Sequence, residues 1–220
     1  MLALVIDTSS AAVTTGIVEI TDHLEPVPLA ERVTIDARAH GELLAPAIKA
    51  CLDEAGVTVA GLAAVIAGVG PGPFTGLRVG LVTAAAIADS TGLPSYGVCS
   101  LDAIAASHRE IPELLVAGDA RRKEIYWALY QHGSRLGEAA VAKAADLPPN
   151  RASAMAGAGA AQYADTLRLP LLDGKFPTVA GLAAAARDRV WAGAPSETLT
   201  PLYLRRPDAV APTNRKPVSR

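Results

Sequence analysis

The feature that most constrains the fold is a glycine- and proline-rich segment at residues 68–80, which reads Gly-Val-Gly-Pro-Gly-Pro-Phe-Thr-Gly-Leu-Arg-Val-Gly. The apolar run 62–67 before it predicts a buried strand. The stretch 75–90 after it, rich in Leu, Val and Ala and ended by Gly92, predicts a helix with Thr75 as its N-cap. A strand, a tight loop and a helix in succession are typical of an α/β protein.

The glycine-proline loop has two interpretations. Glycines allow the backbone to approach another group closely and prolines stiffen it, so the loop can cradle an anion at the helix N-terminus or form a rigid turn. The common phosphate-binding motifs do not fit, because Leu77 stands where a lysine would follow Gly76, and Pro73 or Thr75 replaces the third glycine of G-x-G-x-x-G. We assign these residues to a structural loop: Gly70, Pro71, Gly72, Pro73, Phe74, Thr75 and Arg78.

The composition is that of a folded globular chain. Half of its 220 residues are apolar and 19% are charged, which is enough to bury a large core. The net charge of −2 argues against nucleic-acid binding by the chain alone.

The sequence shows no disulfide, metal or membrane signal. Cys51 and Cys99 lack the spacing of a metal site or a disulfide framework. No apolar run approaches the ~20 residues of a membrane helix and no signal region is present, so we expect a cytoplasmic protein without membrane contact.

Two parts of the chain repeat the order strand, acid-bearing turn, strand. An apolar run at 2–6 precedes Asp7 and a strand at 13–20, and a run at 113–117 precedes Asp119 and a strand at 125–131. A further strand at 27–35 contains Pro28, which either places it at a sheet edge or makes the strand start late. In the first half, two or three strands followed by a helix, a strand and another helix fit an RNase H-like unit, and the repeat suggests a second copy of it. We therefore predict an α/β protein of two RNase H-like halves of the actin-like and sugar-kinase ATPase superfamily, each a three-layer α/β/α unit. The predicted domains are 1–108 and 109–220.

The turns after the first strand of each half supply candidate nucleotide contacts: Asp7, Thr8, Ser9, Asp119 and Arg121. ATPases of this superfamily hold a metal-bound water on the first acid, and glycines follow both acids; neither turn has such a glycine here. Asp7 can instead be a turn-former that bonds its own backbone. Arg121 can bind a phosphate from the side or belong to a solvated charge cluster.

Two helices carry a candidate partner surface. The stretch 41–55, ended by Gly56, has one apolar face, and in the helix from residue 75 small residues recur every four positions. Such a stripe permits close packing either on the chain's own sheet or on a partner helix. The predicted interface comprises His40, Leu43, Leu44, Ala47, Ile48, Cys51, Gly76, Gly80 and Ala84. A further helix after residue 100 could be capped by Ser100.

The segment Gly-Pro-Gly-Pro-Phe-Thr-Gly-Leu-Arg-Val-Gly at 70–80 resembles the hallmark of the TsaB family, also called YeaZ. The resemblance spans nearly the whole chain. It extends to Ile6-Asp7-Thr8-Ser9, His40-x-x-Leu43-Leu44-x-Pro46, Asp119-Ala120-Arg121 and Pro201-x-Tyr203-Leu204-Arg205.

This resemblance implies a non-catalytic subunit that supports a TsaD-like transferase in making threonylcarbamoyladenosine in tRNA. It also implies a TsaE-like ATPase as partner, a homodimer in isolation, indirect contact with tRNA, and ATP or ADP at the partner interface. TsaD relatives carry an H-x-x-x-H metal pair near His40; position 44 is leucine here, so we assign no metal site and no catalytic residue. The alternative is an ATP-dependent kinase or acyl-phosphate enzyme with Asp7 and Asp119 as its acids. The basic stretch 201–220 could touch tRNA or be a loose tail.

Overall fold

The computed structural model describes residues 1–22 and 25–205. The first half of the chain contains the elements β1 (Leu2–Asp7), β2 (Ala12–Glu19), β3 (Val27–Ile35), α1 (His40–Ala55), β4 (Ala64–Gly70), α2 (Phe74–Thr91) and β5 (Ser95–Cys99). The second half contains α3 (Ser100–Ala106), β6 (Glu113–Asp119), β7 (Ile125–Gln131), β8 (Ser134–Ala142), β9 (Ala154–Ala156), α4 (Ala158–Gln162), α5 (Ala164–Leu167) and α6 (Val179–Trp191). Short 3-10 turns lie at Val59–Gly61 and Ala144–Asp146.

The first sheet has the strand order β3-β2-β1-β4-β5. β1 pairs antiparallel with β2 and parallel with β4, and β4 is parallel to β5. β1 is therefore central, which explains why it is a continuous apolar run: both of its faces are covered. β3 is an edge strand, which is one of the two outcomes that Pro28 allowed.

The second sheet repeats this pattern in a shorter form. Its order is β8-β7-β6-β9, with β6 antiparallel to β7 and parallel to β9. Where a fifth strand would follow, an isolated parallel bridge joins Met155 to Leu171. The prediction of two RNase H-like halves is confirmed, and the second half is the truncated copy.

Helices cover both faces of the first sheet. α1 and α2 pack on one face with core residues such as Leu44 and Leu77, and α6 packs on the other through residues such as Leu182. α3 contributes Ala103 to the α6 side of the first sheet and Leu101 to the core of the second sheet. On the far face of the second sheet, the side chain of Ala160 in α4 is buried.

Hydrogen bonds at the N-terminus of α6 hold this helix against the first sheet. The Thr178 hydroxyl accepts from the Gly181 amide at 3.0 Å, and the Glu31 carboxylate on β3 accepts from the Val179 amide at 2.8 Å. These bonds satisfy amides that have no partner within the helix. The predicted domain boundary between residues 108 and 109 stays a prediction. α6 comes after this boundary in the sequence, but it packs on the first sheet and completes the core there.

Two predicted caps are wrong. α2 begins at Phe74, directly after Pro73, and no side chain caps it; Thr75 lies exposed in its first turn. α3 begins at Ser100 itself, and the Ser100 hydroxyl bonds elsewhere. The stop of α1 is as predicted, because Gly56 adopts the left-handed conformation with φ of 66°. None of the described helices is long and apolar enough to cross a membrane.

Candidate functional site

A cleft lies between the two sheets, where the carboxyl ends of the parallel strands of the first sheet face the second. In open α/β sheets this end of the strands is where ligands bind. The first half contributes the turn after β1, the glycine-proline loop and the start of α3; the second half contributes the β6–β7 turn and α4. The lining residues include Ser9, Ser10, Pro71, Pro73, Ser100, Asp119, Arg121, Tyr126, Gln162 and Lys175.

Asp7 lies behind the wall of this cleft. Its carboxylate accepts hydrogen bonds from the Ser9 backbone amide at 3.1 Å and the Ser9 hydroxyl at 2.9 Å. The Ser100 hydroxyl donates to the other carboxylate oxygen at 2.6 Å, and the two serine hydroxyl oxygens are 2.7 Å apart. Asp7 is 1% exposed. The three side chains thus form one closed cluster, with the serines facing the cleft and the acid beneath them.

Burial dominates the electrostatics of this cluster. It raises the pKa of Asp7 above the ordinary value of 3.8, because the ionised carboxylate loses its hydration. Hydrogen bonds from Ser100 and Ser9 and the nearby His40 act in the opposite direction and lower this pKa. The balance favours a proton on Asp7 more than in water.

Thr8 points away from the cleft and into α2. Its hydroxyl donates to the Gly76 carbonyl at 2.7 Å and accepts from the Gly80 amide at 2.9 Å. A Cβ on Gly80 would lie 2.4 Å from this hydroxyl oxygen, and one on Gly76 would lie 3.0 Å from the Thr8 carbonyl oxygen. Thr8 is therefore a structural bridge between β1 and α2 in this conformation.

The small-residue stripe of α2 faces the chain's own sheet. Gly76, Gly80 and Ala84 are buried, and Gly80 packs on Thr8 and Ile6. This corrects the interpretation that the stripe is open to a partner helix. The physical reason is distance, since only residues without a bulky side chain let α2 lie this close to β1.

The apolar face of α1 is also part of the core. Leu44, Ile48 and Cys51 are buried, while Leu43 and Ala47 are half-buried. His40 is 6% exposed, and its Nε2 lies 2.9 Å from the Ser10 carbonyl oxygen, within hydrogen-bonding distance. These predicted interface residues are therefore placed mainly inside the chain.

The glycine-proline loop packs against the turn after β1. A Cβ on Gly72 would lie 1.9 Å from the Ser9 carbonyl oxygen, so only glycine lets these two backbones meet. Gly70 has φ of 95°, which a residue with a Cβ rarely adopts. Pro71 and Pro73 form part of the cleft wall. These contacts favour the structural interpretation of the loop over an anion cradle.

The loop also holds the segment after α6. The Phe74 and Tyr203 rings stack with centroids 4.3 Å apart, and the Arg78 guanidinium lies 5.2 Å from the Phe74 centroid. Arg78 Nε donates to the Tyr203 hydroxyl at 2.9 Å, and the Leu202 amide donates to the Val69 carbonyl at 2.7 Å. Residues 201–205 are thus fastened to the first half; the rest of the basic stretch, 206–220, lies outside the described residues.

Asp119 and Arg121 stand on the opposite wall of the cleft from Ser9. The Arg121 amide donates to the Asp119 carboxylate at 2.8 Å, and the Arg121 guanidinium lies 3.5 Å from it. Of the five nucleotide-proximal candidates, the structure brings Ser9, Asp119 and Arg121 to the cleft. Asp7 lies behind it and Thr8 points elsewhere.

The cleft is small. Its volume is about 140 Å³, whereas pockets for drug-sized ligands measure roughly 300–1,000 Å³. Among residues 1–22 and 25–205, no group of three or more His, Cys, Asp or Glu side chains is placed to hold a metal ion.

Ser100 is the site residue that sequence reasoning missed, since it was considered only as a helix cap. A signal was present: Ser100 directly follows β5, which runs parallel to β4 and therefore ends at the same sheet edge as Asp7. Side chains that follow parallel neighbouring strands meet at that edge.

The strand orders of the two sheets and the cleft between them define the class of protein: an RNase H-like, actin-like ATPase fold. A solved structure of YeaZ from Pseudomonas aeruginosa superimposes with a TM-score of 0.76 at 26% sequence identity, covering 92% of this chain and 99% of that one. A family model described as TsaD, tRNA N6-adenosine threonylcarbamoyltransferase, matches residues 33–210. The chain belongs to this family and is TsaB-like.

Curated relatives agree with this placement. An uncharacterized protein of Mycobacterium tuberculosis is 51% identical over 206 residues, which cover 94% of this chain and 92% of the relative. The tRNA threonylcarbamoyladenosine biosynthesis protein TsaB of Bacillus subtilis is 33% identical over 142 residues, 64% of this chain and 60% of that protein.

Proposed function

We propose that the chain is a non-catalytic subunit that binds and supports a TsaD-like transferase during formation of threonylcarbamoyladenosine in tRNA. Membership of the TsaD family and the name of the Bacillus subtilis relative support the pathway. The accessory role rests on one observation: Asp7, which stands where an ATPase of this fold would hold its metal-bound water, is buried behind Ser9 and Ser100 and bonded to both. A carboxylate so engaged is poorly placed to hold a metal in the cleft.

Reconstitution tests this function. The chain, a TsaD-like transferase and a TsaE-like ATPase should together convert the target adenosine of a tRNA transcript, and the yield should collapse when the chain is left out. The modified nucleoside is measured by mass spectrometry after digestion of the tRNA. Full yield without the chain would contradict the proposal.

The kinase alternative has a separate test. We expect the purified chain to release no phosphate from ATP above the buffer rate in the presence of Mg²⁺. Turnover that disappears in Asp7→Asn, a variant that keeps the shape of the buried cluster, would establish the alternative and displace the accessory role.

A partner surface for this role must lie on exposed residues. On α2 the face opposite the buried stripe carries residues at helical spacing, which we call the outer face of α2: Arg78, Val82, Ala85, Ala86 and Asp89. Val82 is 67% exposed. Short side chains let a second helix approach closely, and an apolar residue at the centre supplies buried area. We propose that the outer face of α2 docks the transferase, or a second copy when the chain is isolated.

Replacing Val82 by arginine is expected to weaken association with the transferase at least tenfold, because a charge would be buried at the contact. The melting temperature should not change, since the side chain is exposed in the free chain. Val33→Arg, on the 48% exposed Val33 of the edge strand, is the matched control and should associate normally. Sedimentation of each variant with and without the transferase measures association, and thermal unfolding measures stability. Equal binding by Val82→Arg and wild type would contradict the assignment of the outer face of α2 as the docking surface.

A further inference from the structure

The side chain of Tyr126, on β7, lines the cleft without a hydrogen-bond partner. Tyr126 is 6% exposed, and its hydroxyl forms no hydrogen bond within the described residues. The other two buried tyrosines differ. The Tyr96 hydroxyl donates to the Ala194 carbonyl at 2.7 Å. The Tyr130 hydroxyl donates to the Asp102 carboxylate at 2.7 Å. Because a buried hydroxyl without a partner costs free energy, the partner of Tyr126 has to come from outside the described chain.

The Tyr126 hydroxyl is a hydrogen-bond donor. Burial raises the pKa of Tyr126 above its ordinary value of 10.0, because the phenolate would lose its hydration. The Arg205 guanidinium acts against this shift, and the charge of Asp119, on the cleft wall, acts with it. The phenol therefore keeps its proton at neutral pH and offers it to an acceptor in the cleft.

Two further donors without an acceptor line the same cleft. The Ser10 hydroxyl accepts from the Ala12 amide at 3.1 Å, and no described residue accepts its hydrogen. Lys175 is exposed and forms neither an ion pair nor a hydrogen bond within the described residues. Three donors, one of them a cation, thus border one small space.

The other charged groups and the other serines of the cleft are already engaged. Arg121 and Asp119 pair with each other, so their charges offset. The hydroxyls of Ser9 and Ser100 bond to the buried acid behind them and lie 2.7 Å from each other. Within the described residues, Lys175 is therefore the cation of this cleft without a counter-ion, and a ligand with a single negative charge would supply one.

The rest of the wall is apolar, and the space is small. Pro71, Pro73, Leu101 and Ile104 line it. The volume of about 140 Å³ corresponds to about five water molecules at ~30 Å³ each. Water can satisfy the donors, but it supplies no negative charge and gains nothing from the apolar wall. A molecule of a few carbon atoms with one charged end matches both features, since ligand sites combine apolar walls with a few placed polar groups.

We infer that the cleft binds a short-chain carboxylate, whose oxygens accept from Tyr126, Ser10 and Lys175 and whose carbon chain packs on the apolar wall. A carboxylate offers about four lone-pair sites, which is enough for three donors. Its hydrogen bond to the ammonium group is charge-assisted. The inference goes beyond the proposed function, because it gives the chain a small ligand of its own, and it does not depend on that function.

The test titrates the purified full chain with propionate, a carboxylate small enough for this volume, and follows binding by NMR spectroscopy. We expect a dissociation constant of about 1 mM, which suits so small a ligand. Propionamide has the same shape without the charge and should bind about tenfold more weakly. Inorganic phosphate should bind more weakly than propionate, because it has no apolar part.

Tyr126→Phe removes only the unpartnered hydroxyl. It should weaken propionate binding about fivefold and leave the melting temperature of the free chain unchanged or higher, since no bond within the chain is lost. Lys175→Gln should weaken binding about fivefold at low salt, and Lys175→Arg, which keeps the charge, should retain most of the affinity. Tyr130→Phe is the matched control: it breaks the bond to Asp102 and should lower the melting temperature without changing the affinity.

Equal binding of propionate and propionamide would overturn the inference, as would no detectable binding of propionate. Unchanged affinity in Tyr126→Phe, or an equal loss in Tyr130→Phe, would also overturn it and show that the ligand lies elsewhere. Phosphate binding more tightly than propionate would contradict the assignment of a carboxylate. The proposed function stands in each case, because none of these measurements involves the transferase.

Discussion

Gly80→Leu is expected to lower the free energy of unfolding by more than about 4 kcal/mol and to leave little folded protein at 37 °C. The Cβ alone would lie 2.4 Å from the Thr8 hydroxyl oxygen and 3.4 Å from Ile6 Cγ2. The larger side chain must push α2 away from β1, which breaks the Thr8 bridge as well as the packing. Gly80→Ala should cost about 1–3 kcal/mol, the usual range for overpacking.

Gly41→Ala is the matched control for this experiment. Gly41 lies in the first turn of α1, and a Cβ there would meet nothing within 4 Å. Alanine should be neutral or stabilise by up to ~1 kcal/mol, because glycine is the poorer helix former. Urea unfolding of all variants gives the comparison. If Gly80→Leu unfolded at the wild-type midpoint yet failed to bind its partner, the stripe would have to face the partner after all.

Asp7→Ala is expected to lower the free energy of unfolding by about 2–5 kcal/mol. The variant removes the acceptor for the Ser9 and Ser100 hydroxyls and for the Ser9 amide, and it opens a cavity in a fully buried place. Asp7→Asn should cost much less, since the amide keeps the shape and one acceptor oxygen. Equal loss in the two variants would show that the carboxylate charge, and not the hydrogen-bond cluster, is essential.

The difference in stability between wild type and Asp7→Asn should depend on pH. Burial raises the pKa of Asp7 in the folded state above the ordinary value of 3.8, so between these two values the folded state binds a proton that the unfolded state has lost. The contribution of Asp7 to the free energy of unfolding therefore falls as pH rises through this window and stays low above it. Asp7→Asn does not titrate. Its stability relative to wild type should rise with pH above 3.8, as urea titrations at several pH values from 3 to 7 would show. A relative stability that falls over this range would mean that the folded state lowers this pKa instead.

The sequence by itself determined the elements and their class. The apolar run of β1 indicated a central strand and that of β6 a strand, Pro28 was consistent with an edge strand, and Gly56 and Gly92 ended α1 and α2. The repeat of strand, acid-bearing turn and strand predicted two copies of one fold, and the order of strands and helices in the first copy predicted an RNase H-like half. These are local signals, set by periodicity and by backbone preferences that each residue carries wherever it lies.

Only the tertiary structure decided which contacts each face makes. The period of four places Gly76 and Gly80 on one side of α2, whether that side meets a partner or the chain's own β1. The hydrogen bond from the Gly80 amide to Thr8, 72 residues away, shows that this side faces β1. Ser100 joins Asp7 across 93 residues for the same reason. Which residues meet depends on distances that chain spacing does not contain, because the sheet brings strand ends together regardless of their separation in sequence.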